Sequence, residues 1–190
     1  IMCKIKNMPN SAYLRGNADF ALGIVTGNNK EYISDIKNEN NEMILKGADI
    51  RKYHTTRTNN YIVFKPENFQ QVAPTEMYRS PEKLLYRFIS SQLVFAYDDK
   101  QTLSLNSCNI VIPRIPGTKI KYVLAILNSR IAQFIYKKEF NSVKVLRSHI
   151  ENIPIPTADA STQAEIIALT DKLISGLQAD EAEKVYDELD

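Results

Sequence analysis

Ile153-Pro154-Ile155-Pro156 sets two prolines one residue apart, and neither can donate to a central ladder or continue a helix. The segment divides the chain into two parts of opposite character. Residues 1–156 carry 22 Lys and Arg against 13 Asp and Glu, whereas residues 157–190 carry 2 against 9. Nine of the ten tyrosines and all seven phenylalanines precede the prolines. The expected organisation is therefore a basic, aromatic body at 1–156 and an acidic helical tail at 157–190. A basic body suits a polyanion such as nucleic acid, although charges that merely solvate a surface give the same counts. At 190 residues there is room for one such body with an appendage.

Local patterns predict an α+β fold: a mixed β-sheet with packed helices and a C-terminal helical tail. Phe20 to Val25 reads as a strand, stopped by the polar turn Thr26-Gly27-Asn28-Asn29-Lys30, and Tyr61 to Phe64 as another short strand ended by Pro66. Ser80-Pro81-Glu82 carries the marks of a helix start, and Leu84, Leu85, Phe88 and Ile89 follow at helical spacing. Leu93 to Tyr97, Thr102 to Leu105 and Asn109 to Ile112 look like three strands joined by turns. Ile120 to Phe140 returns to a helical stripe, and Val143 to Val145 is a last strand candidate. In the tail, Ser161 can cap a helix whose stripe includes Ile166, Ile167, Leu173 and Leu177, with a break near Gly176. The stripe must bury against a partner, and its pattern fits one within the body or one outside it.

Several kinds of chemistry lack their residues. The glycines fall at 16, 23, 27, 47, 117 and 176, so no Gly-x-Gly phosphate loop exists. His54 and His149 stand apart, without the spacing of a zinc pair. Cys3 and Cys108 are far apart in apolar contexts, which suits core positions and a reducing cytoplasm. No apolar run approaches the roughly 20 residues of a membrane span, so no membrane partner is expected. Asp98-x-Lys100 downstream of Glu82 resembles the carboxylates and lysine with which nucleases hold a metal ion, but Asp98-Asp99-Lys100 also stands where a hairpin turn is required. The turn is the preferred assignment. The chain opens on Ile1 and is read as a piece of a longer protein.

Five segments in order carry a resemblance: Gly23 to Lys30, Leu45 to Tyr53, Pro81 to Phe88, Leu124 to Arg130 and Ile150 to Pro156. Together they look like the TaqI-like C-terminal specificity domain, the target-recognition domain of DNA adenine-N6 methyltransferases and of fused type II restriction–modification enzymes. The tail, with Gln163 to Ile167, is similar to helical segments of type I specificity subunits. The resemblance implies a domain of bacterial or archaeal cytoplasm that binds double-stranded DNA beside a methyltransferase catalytic domain. That neighbour would hold S-adenosylmethionine and flip the target adenine. Its Asn-Pro-Pro-Tyr-type motif is missing here, since the chain contains no Pro-Pro, so this fragment is expected to be no enzyme and to hold no cofactor or metal. An alternative is a protein-docking specificity module of a type I-like complex, with the tail contacting a catalytic subunit.

Phosphate contacts call for Lys, Arg and backbone N–H, and base edges call for Arg, Asn or Gln. The turn offers Thr26, Asn28, Asn29 and Lys30, unless it is an ordinary hairpin turn. Arg51, Lys52, His54, Thr55 and Arg57 lie in seven residues free of acids; the alternative is a solvated loop with Tyr53 anchored in the core. Lys119, Lys121 and Lys144 are further candidates, whereas Arg87 is expected to pair or pack internally.

Overall fold

The computed structural model describes residues 9–176 and 179–189; Cys3, Leu177 and Gln178 lie outside them. Strands β1 (Ser11–Ala12) and β2 (Ala18–Ala21) lead into a one-turn helix α1 (Asn29–Tyr32), then β3 (Ile33–Ser34), β4 (Glu42–Leu45) and β5 (Tyr61–Ile62). Helix α2 (Thr75–Tyr78) precedes β6 (Lys83–Arg87), β7 (Phe95–Asp98), β8 (Leu103–Ser104) and β9 (Cys108–Pro113). Helices α3 (Ile120–Asn128), α4 (Arg130–Glu139) and α5 (Arg147–Glu151) follow. The strand β10 (Ile155–Pro156) then precedes the tail helices α6 (Ala160–Ile174) and α7 (Ala179–Leu189).

A central antiparallel sheet, in the order β2-β9-β6-β7, is covered on both faces. Strand alternation sorts its side chains. Leu84, Tyr86, Phe95 and Val111 enter one core with Val123, Leu127, Tyr136 and Leu173 of the helices. Leu85, Ala96, Ile110 and Ile112 enter a second core with Ile44, Ile62 and Leu103. The latter three belong to a second sheet, β3-β5-β4-β8, in which β4 and β8 run parallel. A ribbon of β1 and β10 returns the proline segment to the start of the described chain. The architecture is α+β, with helices and a smaller mixed sheet flanking a central one.

The helix expected from Pro81 to Ile89 is strand β6. Because β6 is buried on both faces, Leu84 and Leu85 point in opposite directions yet are equally inaccessible, so its apolar residues run on without polar alternation. The Ser80 hydroxyl donates to the Glu82 carbonyl, closing a local turn. The helical stretch 120–140 is two helices. Ser129, extended at ψ 159°, ends α3 and caps α4 by accepting from the Ala132 N–H. Val143 to Val145 forms no ladder, only an isolated bridge from Ile89 to Lys144. Asp159, rather than Ser161, caps α6 by accepting from the Thr162 N–H at 2.8 Å. The break at Gly176 is present, with φ at 80°, and helix resumes at Ala179.

Among the described residues, the tail stripe packs against its own body, with Ile166 and Ile167 half-buried there. Helix α6 lies along α3, and Leu173 and Val185 belong to the helical core. The buried Gln163 amide joins the two parts: Oε1 accepts from the Lys119 N–H at 2.9 Å, and Nε2 donates to the carbonyls of Gly117 and Ala158. Acidic tail residues meet basic body residues in Lys121–Asp171 and Arg130–Asp187. Gln163→Ala would leave three backbone groups without partners and is expected to cost about 1–3 kcal/mol. A urea midpoint equal to that of the wild type would show that this amide contributes nothing to docking of the tail.

Candidate nucleic-acid interface

The loop after β4 is fastened at both ends and at its middle. Gly47 N–H donates to the Ser107 hydroxyl, and Asp49 Oδ2 accepts from the Lys46 N–H at 2.8 Å. A Cβ on Gly47 would stand 2.5 Å from the Ser107 carbonyl oxygen, so close approach demands the glycine. Its φ is not positive, so proximity to Ser107 and not backbone conformation calls for a glycine here. Arg51 N–H donates to His54 O, and Thr56 N–H to Asp49 O, folding 50–56 back on itself. Tyr53 at the apex has φ 73° and is 1% exposed. Its N–H donates to Phe95 O and its carbonyl accepts from Tyr97 N–H, so β7 holds the unusual conformation in place. Tyr53 thus anchors the loop, and the cations on either side diverge.

Arg51 is exposed and donates to the Ala48 and Ile50 carbonyls. Arg87 of β6 sends Nε and Nη2 to the same Ile50 carbonyl, at 2.8 and 2.6 Å. Two guanidiniums therefore meet at one neutral oxygen. Burial, and the neighbouring Arg51 charge, lower the Arg87 pKa. Arg57 is exposed, and with His54, Thr55 and Thr56 it lines a cleft of about 230 Å³ closed by Tyr97, Asp99 and Lys100. The buried Nδ1 of His54 has no hydrogen-bond partner. Lys121 does not line this cleft; its amine lies 4.8 Å above the Tyr97 ring and is paired with Asp171 at 2.6 Å. Lys52 turns inward, its amine donating at 2.9 Å to the Asn128 carbonyl at the C-terminal end of α3.

The remaining candidates lie elsewhere. Thr26 is buried, and its hydroxyl donates to Asn29 Oδ1 at 2.7 Å. Asn28, Asn29 and Lys30 are exposed, with Asn28 bonded to Glu31. Lys119 is exposed beside the α6 junction, and Lys144 is exposed where the chain bridges to Ile89. The fold thus gathers His54, Thr55 and Arg57, with Arg51 on the same hairpin, and gives Thr26 and Asn29 a hollow of their own. Sequence reasoning missed Lys100 and Tyr97 as walls of the cleft, because the turn residues around Lys100 account for themselves locally. The convergence of Arg87 on Arg51 had no local signal either.

Asp98 has a structural occupation. Its carboxylate accepts from Lys83 Nζ at 2.5 Å and from both the N–H and hydroxyl of Thr102. Burial lowers the Lys83 pKa, against the opposing pull of Asp98. Glu82 is engaged by the Tyr97 hydroxyl. Among the described residues, no group of three or more His, Cys, Asp or Glu is placed to hold a metal ion. Cys108 is fully buried, which pushes its thiol pKa far up, as befits a core residue. His149 stacks on Phe140 at 4.3 Å, and burial lowers its pKa. Among the described residues no helix is long and apolar enough to cross a membrane.

The TaqI-like C-terminal specificity domain matches residues 42–155, from β4 to the proline segment and more than half of the chain. The chain belongs to that family. The matched span contains the anchored loop, the central sheet apart from β2 and the cleft walls apart from Ile174 of α6. Its fold is similar to a solved chain described in work on complex assembly and conformational transition of the type I R-M system. That match has a TM-score of 0.55 and 16% identity over 95% of this chain. The HsdS subunit from Thermoanaerobacter tengcongensis aligns at a TM-score of 0.48 and 15% identity over 96% of this chain. The match spans 43% of the length of each of those chains. No curated protein matches this specificity domain.

Proposed function

We propose that this specificity domain binds double-stranded DNA at a preferred sequence and presents the site to a methyltransferase catalytic domain that holds S-adenosylmethionine. Within that proposal the parent enzyme is a DNA adenine-N6 methyltransferase or a fused type II restriction–modification enzyme. The observation that carries it is the hairpin at residues 50–57 inside the family-matched span. Tyr53 is locked into the core while Arg51 and Arg57 stay exposed. An arrangement that fixes the backbone, leaves Arg57 exposed and holds the exposed Arg51 against the Ala48 and Ile50 carbonyls suits phosphate contact, because the ordering cost is met before DNA arrives. Arg51 beside Arg87 adds a like-charge pair that an anion would stabilise.

The test is duplex binding across a salt series. Wild-type chain should lose affinity steeply with salt. Arg51→Ala with Arg57→Ala should flatten the slope of log K against log salt by roughly 1.8, at about 0.9 per lost phosphate contact. Lys52 is left intact in this variant because its amine caps α3. An unchanged slope would contradict the assignment of the hairpin.

A second reading places the same domain in a type I-like assembly, and the fold likeness across 95% of the chain, tail included, favours it. In that setting α6 and α7 would add a docking face for a catalytic subunit while remaining packed on α3. Co-purification with a catalytic subunit, lost on altering exposed tail residues while DNA binding persists, would select this reading.

A further inference from the structure

A second hollow, of about 190 Å³, is lined by Val25, Thr26, Gly27, Asn29, Gln70 and Asn106, none of which lines the cleft at the cationic hairpin. Three loops meet there, and main-chain bonds hold them in register. Val25 and Gln71 exchange N–H to carbonyl bonds at 2.9 and 3.0 Å, while Asn106 N–H donates to Ile24 O and Ile24 N–H to Ser104 O. Gly27, at φ 84°, brings the turn against Gln70, whose Cβ would stand 3.3 Å from any Cβ placed on the glycine. Asn29, Gln70 and Asn106 are exposed, and the buried Thr26 hydroxyl fixes the Asn29 amide by donating to its Oδ1. The lining includes no ionisable residue.

We infer that Asn29, Gln70 and Asn106 form a base-reading patch selective for adenine within the DNA target, an inference that rests on the duplex-binding function proposed above. The chemistry follows from the side chains. A primary amide presents a donor and an acceptor in one plane, which matches the N6 amino group and N7 of adenine on the major-groove edge. Guanine calls for the paired donors of Arg or Lys. A neutral amide set is poorly suited to phosphate, which is met by cations. Lys30, the residue after Asn29, is an exposed cation next in sequence to the patch. Fixed loops favour base readout because the geometry of a bidentate pair tolerates little freedom.

Selection from a random duplex pool by the wild-type chain, Gln70→Ala, Asn106→Ala and Gln70→Glu tests the inference. Wild type should enrich a motif containing A·T pairs. Each alanine variant should lose roughly five- to a hundredfold discrimination at one such pair while keeping the wild-type salt slope. Gln70→Glu should move the preference at its position from adenine to cytosine, since a carboxylate accepts from cytosine N4. Variants that retain the wild-type motif overturn the inference, as does wild-type binding without sequence preference, and in both cases duplex binding survives. Failure of the wild-type chain to bind duplex at any salt instead defeats the function proposed above, and this inference with it.

Discussion

Asp98→Ala is expected to remove about 3–5 kcal/mol of folding stability, because it strands the Lys83 ammonium in the core. Lys83 is 0% exposed and Asp98 is 5% exposed. The ammonium has two partners, the Asp98 carboxylate and the Tyr78 carbonyl, and only the carboxylate balances its charge. The same carboxylate closes the β7–β8 turn through the Thr102 N–H and hydroxyl, so the substitution also opens that turn. Asp98→Asn keeps acceptors but not charge and should fall between the two proteins. Replacing both partners at once, Lys83→Met with Asp98→Leu, should recover part of the loss, since no buried charge is then left unpaired. Urea unfolding of the three variants decides it. A loss below about 1 kcal/mol for Asp98→Ala would mean that the pair is not desolvated as the structure has it.

Gly23→Ala is expected to cost more than about 3 kcal/mol, above ordinary overpacking of a core. The added Cβ would lie 2.1 Å from the Leu105 carbonyl oxygen and 2.5 Å from that of Cys108. Both are backbone atoms at the β8–β9 connection, which cannot swing aside as a long side chain can. Gly23 N–H also donates to the buried Asn109 Oδ1 at 3.0 Å, so a shift of the chain would break a second buried contact. Gly16→Ala is the control. It has a φ of 73° with nothing within 4 Å of the new Cβ, and should cost only the roughly 1–2 kcal/mol of a left-handed residue. Thermal unfolding should place the Gly23 variant well below the Gly16 variant, and equal midpoints would refute the close approach. Gly23 leads directly into the Thr26–Asn29 turn, so a soluble Gly23 variant should also show altered DNA preference.

The strands at 93–112, the helical stripe from 120 and the tail after the prolines were legible because each rests on a period of two or three to four residues within one short window. β6 was not. A strand covered on both faces loses its alternation, and Ser80-Pro81-Glu82 mimics a helix start. The candidate site divides in the same way. A hairpin rich in cations around Tyr53 can be seen along the chain. Which cation faces water cannot, since Lys52 finds its partner at Asn128, 76 positions away. The amides at Gln70 and Asn106 carry no common signal in sequence, and they meet through bonds between loops.

The sequence by itself determined the family, the α+β class, the division of charge at the Ile-Pro-Ile-Pro segment and the helical stripe of the tail. The family rests on the resemblance carried by five ordered segments; the others depend on residue types and on spacings of a few positions, which steric and solvation preferences read directly. Tertiary structure alone decided that the tail closes on its own body, that Asp98 neutralises Lys83, and that Gly23 and Gly47 admit the carbonyls of the β8–β9 connection. It also decided which polar side chains share a hollow. Those outcomes depend on contacts between distant segments, whose geometry exists only once both faces of the central sheet are covered.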